Sequence, residues 1–214
     1  MRRLRSLVAA VTLAGLGAAL TPGGAAAQET VDPQRPSGHF RIERPAGLSE
    51  ADALTIYTRI LDDMVSGYRL SGLGYADSYR LWRRYNTMPY RSAQHGERYI
   101  NNYANEIAKD YRRYEDSGPM PVGALLVKDS FAVTKNGDVF SGPLFVMEKM
   151  PAGFEPRARD WRYTMIMPDG SLFGTTHGEG SNRVEFCIDC HELVGHEQDH
   201  MFYVPEEFRV RFLN

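Results

Sequence analysis

The sequence predicts an α+β fold: a small antiparallel β-sheet with flanking helices and an extra helical segment at the N-terminal side. Three observations carry this reading. Leu54, Ile56, Tyr57, Ile60, Leu61, Met64 and Val65 recur at helical spacing. Trp161, Tyr163, Met165 and Met167 alternate with Arg162, Thr164 and Ile166, which is the period of a strand. Two turn signals, Asn136-Gly137-Asp138 and Pro168-Asp169-Gly170-Ser171, sit between apolar runs. Strand candidates that cluster after helical ones argue for an antiparallel sheet rather than βαβ units.

The elements follow in order. Arg2, Arg3 and Arg5 precede an apolar stretch from Leu7 to Leu20, and Ala25-Ala26-Ala27 supplies small residues for cleavage. Residues 1–27 therefore read as a secretory signal peptide. The apolar run is shorter than the ~20 residues that span a bilayer. Arg2-Arg3 hints at the twin-arginine route, but Leu-Arg-Ser after it matches poorly and favours the general secretory route. Residues 28–47, rich in Pro, Gly and charge, read as an extended, partly mobile leader. Residues 48–214 read as one domain. Ser49 is placed to cap the first helix, with Glu50 and Asp52 in its first turn. Gly67 and Gly72-Leu73-Gly74 interrupt the helical pattern. A helical or turn-rich stretch is expected over 78–84, and a further helix over 98–114, where Tyr99, Tyr103, Ile107 and Tyr111 fall at steps of four. Gly118-Pro119-Met120-Pro121 breaks the pattern, and strands are expected over 124–133, 143–150, 161–167 and 172–176.

The formal net charge is −2 and becomes more negative once the signal arginines are removed. Such a balance does not suggest nucleic acid or an anionic membrane surface as a partner. No second apolar run is long enough to span a membrane, so no membrane span is expected after signal cleavage.

Cys187-Ile188-Asp189-Cys190-His191 forms a C-x-x-C-H box. Two thiols two residues apart can each add to one vinyl group of haem, and the adjacent imidazole can then reach the iron. These are the chain's two cysteines. A signal peptide and this box support each other, because in bacteria haem c is attached after export; the expected compartment is the periplasm. Three alternatives compete. A thioredoxin-like pair should open a helix after a strand in a βαβ unit. A structural disulfide suits an oxidising compartment. A zinc site from Cys187, Cys190, His196 and His200 has short spacing and leaves His191 without a role. His196 and His200 stand four apart and are also candidates for a sixth iron ligand.

The chain resembles the cytochrome P-460 family, including its β-sheet cytochrome c′ branch. The resemblance rests on Met120-Pro121-Val122-Gly123-Ala124-Leu125-Leu126-Val127-Lys128-Asp129, the strand from Trp161, the late box at Cys187 to His191, and Asp199 to Phe202 with Pro205. It spans roughly residues 80–210, and the helical stretch of about 48–75 lies outside it. Tyr99-Ile100-Asn101-Asn102 resembles the family's strand ahead of the lysine segment, an alternative to the helix expected there. The resemblance implies a small antiparallel sheet, a homodimer, one covalent haem c held by Cys187 and Cys190, and a five-coordinate iron on His191. It further implies one of two functions. One branch oxidises hydroxylamine and carries a lysine cross-linked to the porphyrin. The other binds nitric oxide at an apolar distal face.

Lys128 occupies the position of the cross-linking lysine and is the candidate for that role. It shares a strand face with Ala124 and Leu126, where an apolar pocket would desolvate its amine. The 161–167 strand contains no acid to take protons from hydroxylamine. Tyr163 is the candidate distal group, with His95 as a second. The sequence thus favours ligand binding or electron transfer with a soluble redox partner, with hydroxylamine oxidation as the alternative.

Overall fold

The computed structural model describes residues 40–212. The expected signal peptide, and the expected leader up to residue 39, lie outside the described residues.

Helix α1 (Glu50–Arg69) starts where its cap requires. Ser49 is extended, and its Oγ accepts from the Asp52 N–H at 3.2 Å. The helix runs through Gly67 instead of stopping there. A Cβ on Gly67 would lie 2.0 Å from the Pro168 carbonyl oxygen, so this glycine serves close approach to the neighbouring turn rather than breaking the helix. Ala53, Tyr57, Met64, Val65 and Tyr68 form its buried face. A short helix α2 (Gly74–Ser78) and a 3₁₀ turn (Tyr79–Leu81) follow.

Eight strands are found among the described residues: β1 (Arg83–Arg84), β2 (Tyr90–Ser92), β3 (Arg98–Ala104), β4 (Leu125–Val133), β5 (Val139–Ser141), β6 (Leu144–Lys149), β7 (Trp161–Ile166) and β8 (Leu172–Thr175). They form one antiparallel sheet in the order β1-β3-β4-β6-β7-β8, with β2 paired to β3 and β5 to β4. The expected α+β class and the four later strands are therefore present. The helix expected over 98–114 is not. Residues 98–104 are β3, buried on both faces, and a kinked 3₁₀ segment occupies Glu106–Asp116. Asn105 sets that boundary: its side chain accepts from the Ala108 N–H and from the Leu125 N–H.

The sheet divides the core in two. On one face, α1 packs Tyr57, Met64 and Val65 over Tyr99, Tyr103, Val127, Phe131, Val146 and Ile166. On the other, Ile100, Leu126, Phe145, Met147, Trp161, Tyr163 and Met165 meet Val184, Cys187 and Ile188, which belong to or flank helix α3 (Glu185–His191). Burial of each large apolar side chain contributes about 1.5–3 kcal/mol. The alternation read along β7 holds, with Trp161, Tyr163 and Met165 on the α3 side and Ile166 on the α1 side. The described end of the leader is tied down. Ile42 N–H donates to the Gly96 carbonyl, Arg41 pairs with Glu97, and Pro45 bridges Thr134. Among the described residues, no helix is long and apolar enough to cross a membrane.

Candidate functional site

Helix α3 carries the C-x-x-C-H box and lies over the sheet face formed by β3, β4, β6 and β7. Between them is a small cavity of ≈ 30 Å³ whose lining includes Leu126, Lys128, Phe145, Met147, Cys187 and His191. Register explains the convergence: Asn102 pairs with Lys128, Lys128 with Phe145, and Phe145 with Met165. Leu126, Met147 and Tyr163 form the next row. Side chains paired across strands share a face, so β4 presents Lys128 and Leu126 to α3.

Cys187 and Cys190 are free thiols one helical turn apart. Cys187 is buried, and desolvation pushes its thiol up to about 12. Desolvation also raises Cys190, while the charge of nearby Lys128 pulls it back. His191 is buried in the last turn of α3. Its Nδ1 lies 2.8 Å from the His200 carbonyl oxygen. A carbonyl only accepts, so Nδ1 carries the proton and the lone pair falls on Nε2. The ring is held between Tyr163, at 5.0 Å, and the edge-on Phe202, at 5.1 Å. An oriented imidazole with its lone pair on Nε2 is a metal ligand prepared in advance.

Lys128 lines the cavity floor, and desolvation lowers its pKa from 10.5 to about 8, partly countered by Cys190. Tyr163 is buried, its phenol has no hydrogen-bond partner, and desolvation raises its pKa. Tyr163, expected as the distal group, lines the cavity, and its ring also packs against that of His191. The strand alternation places Tyr163 on the correct face but cannot say which part of α3 it meets. His95 does line the cavity, with its ring 5.0 Å from Phe145 and Nδ1 2.9 Å from Ser92 Oγ.

His196 and His200 do not line the cavity; their rings lie 5.2 Å apart. No group of three or more His, Cys, Asp or Glu among the described residues is arranged to hold a metal ion, which removes the support for a Cys–His zinc site. The strand pairs are antiparallel, so the box does not sit in a thioredoxin-like βαβ unit. One thiol and an imidazole lining one apolar cavity, with the second thiol a helical turn along α3 and an unsatisfied buried phenol beside them, fit a haem. Sequence reasoning located β6 as a strand but did not single out Phe145 and Met147. Their alternation was the available signal. It also missed the pairing of Lys149 with Asp199, a buried ion pair at 2.7 Å whose partners lie fifty residues apart.

The family model described as Cytochrome P460 matches residues 76–203, more than half of the chain. No curated protein matches the chain.

Proposed function

Because the chain belongs to the cytochrome P460 family, whose members are haem-binding cytochromes, we propose that it is a periplasmic mono-haem c-type cytochrome that binds nitric oxide or a related small ligand and exchanges single electrons. Cys187 and Cys190 carry the covalent attachment in this reading, and His191 supplies Nε2 to the iron. When bound, the haem would supply one-electron and small-ligand chemistry. The chain's own residues do the rest. His200, through its carbonyl, holds the His191 proton at Nδ1. Leu126, Phe145 and Met147 line the cavity with apolar surface, which would keep water from the bound group. A soluble redox protein is the expected electron partner, and a homodimer the expected assembly.

The single observation that carries ligand binding over hydroxylamine oxidation is that no carboxylate lines the cavity among the described residues. Proton removal from hydroxylamine needs a base within hydrogen-bond reach. His95 and Lys128 are the titratable side chains there besides the expected haem-binding residues Cys187 and His191 and the buried phenols of Tyr103 and Tyr163. A second reading, an enzyme with Lys128 cross-linked to haem, is favoured by the depressed pKa of Lys128. A pKa of about 8 leaves a minor fraction neutral at pH 7, far more than at 10.5.

The test uses protein matured in a periplasm with haem-attachment machinery. The reduced absorption spectrum and a nitric oxide titration are recorded beside hydroxylamine turnover with an artificial acceptor. The proposal expects a high-spin c-type spectrum, nitric oxide binding at ferrous haem, and little or no turnover. A strongly red-shifted Soret band with multiple turnovers would replace it with the enzyme reading.

A further inference from the structure

The carbonyl that orients His191 belongs to a residue in an unfavourable backbone conformation. Asp199 and His200 both adopt the left-handed region, with φ +48° and +58°. Side chains with a Cβ rarely take that conformation, and two in succession require support from the surroundings. The support is visible at Asp199. Its carboxylate is fully buried and accepts from Lys149 Nζ at 2.7 and 2.8 Å and from the Met120 N–H at 2.9 Å. Arg159 Nε stands 3.6 Å away. Its backbone carbonyl accepts from Trp161 Nε1 at 2.8 Å. Lys149 also donates to the Arg159 carbonyl at 2.7 Å and lies over the Trp161 ring. Lys149 and Trp161 are paired across β6 and β7, so the clamp is rooted in the sheet itself.

We propose that Asp199 is a positioning residue for the iron-binding imidazole: Lys149 and Trp161 grip it from the sheet, it fixes the 199–200 turn, and the turn holds the His200 carbonyl against His191 Nδ1. This rests on the haem reading above. A buried ion pair is a poor source of net stability, because desolvation offsets its attraction. Its value here is geometric. It fixes one acceptor for one N–H, and that bond sets how much electron density the imidazole gives to the iron. A shorter, better-aligned bond strengthens the iron–histidine bond and favours the ferric state.

The test compares haem-loaded wild type with Asp199→Asn, Trp161→Phe, Lys149→Arg and Asp62→Asn. Asp62 pairs with Arg80 on the surface and serves as the control. Two quantities are read: the iron–histidine stretching frequency of the ferrous protein by resonance Raman, and the midpoint potential. Asp199→Asn is expected to lower the stretching frequency and raise the potential. Trp161→Phe, which loses only the N–H bond to the Asp199 carbonyl and some ring contact, moves both the same way by less. Lys149→Arg restores most of the wild-type values, and Asp62→Asn leaves them unchanged. Wild-type values in folded Asp199→Asn overturn the proposal. If that variant does not accumulate, wild-type values in Trp161→Phe overturn it equally. A wild-type protein with no iron–histidine stretch overturns the haem reading and this one together.

Discussion

Lys128 and Asp129 are neighbours on β4 that serve opposite faces of the sheet. Lys128 lines the cavity beneath α3. Asp129 is fully buried on the α1 side, where Oδ2 accepts from Tyr57 at 2.6 Å and Tyr79 at 3.1 Å, and Oδ1 accepts from Asn101 Nδ2 at 3.0 Å. Successive side chains of a strand point to opposite sides, so one dipeptide joins the site to the dock of the N-terminal helix. Tyr57 also shares a 2.5 Å hydrogen bond with Tyr103 on β3.

This dock gives a stability expectation. Tyr57→Phe removes one donor from a buried carboxylate, and such losses cost about 1–3 kcal/mol. Urea unfolding followed by circular dichroism should show the midpoint falling without a change in slope. An unchanged midpoint would mean that the Tyr57–Asp129 bond does not hold α1 in place.

The same carboxylate gives a pH dependence. Burial raises Asp129 from 3.8 to about 6, against the lowering effect of its hydrogen bonds. The folded state therefore holds this proton more tightly than the unfolded chain. Its stabilising contribution is complete below about pH 4 and is lost as pH rises through 6, a change of about 2–3 kcal/mol. The difference in unfolding free energy between wild type and Asp129→Asn, measured from pH 4 to 7, should vary by that order. A constant difference would show that Asp129 titrates normally.

Much of the fold was legible because its signals were unambiguous. Ser49 caps α1 as its type and position require, and β7 alternates cleanly because both its faces meet distinct layers. The misread stretch at 98–104 has a physical cause. Residues four apart share a face of a helix and also a face of a strand, so Tyr99 and Tyr103 fit both periods. β3 is buried on both sides, so no polar alternation broke the tie. At the site, the C-x-x-C-H box declares itself because its ligands are contiguous. Phe145 and Asp199 do not, because their roles depend on register and on contacts between distant segments.

Coordination is tested by single histidine changes. His191→Ala should lose the iron ligand and alter the ferric spectrum, while His196→Ala should leave it almost unchanged, since His196 does not line the cavity. His200→Ala keeps the carbonyl that accepts from His191, so its spectrum should also stay close to wild type. Conversion from low spin to high spin in either of the latter two variants would contradict a five-coordinate iron.

Lys128 separates the two functional readings. A tryptic map of wild type and Lys128→Ala should show the haem on the Cys187–Cys190 peptide alone, and nitric oxide binding should survive the substitution. A haem-linked peptide that also contains Lys128 would establish the cross-link and move the protein toward hydroxylamine oxidation.

The central claim is that Cys187 and Cys190 attach one haem beneath which His191 binds the iron. Intact-mass spectrometry of the denatured, periplasm-matured protein tests it most directly. Wild type should carry the mass of the cleaved chain plus one haem, and Cys187→Ala with Cys190→Ala should carry the chain mass alone. A wild-type chain that sheds all its haem on denaturation would contradict it.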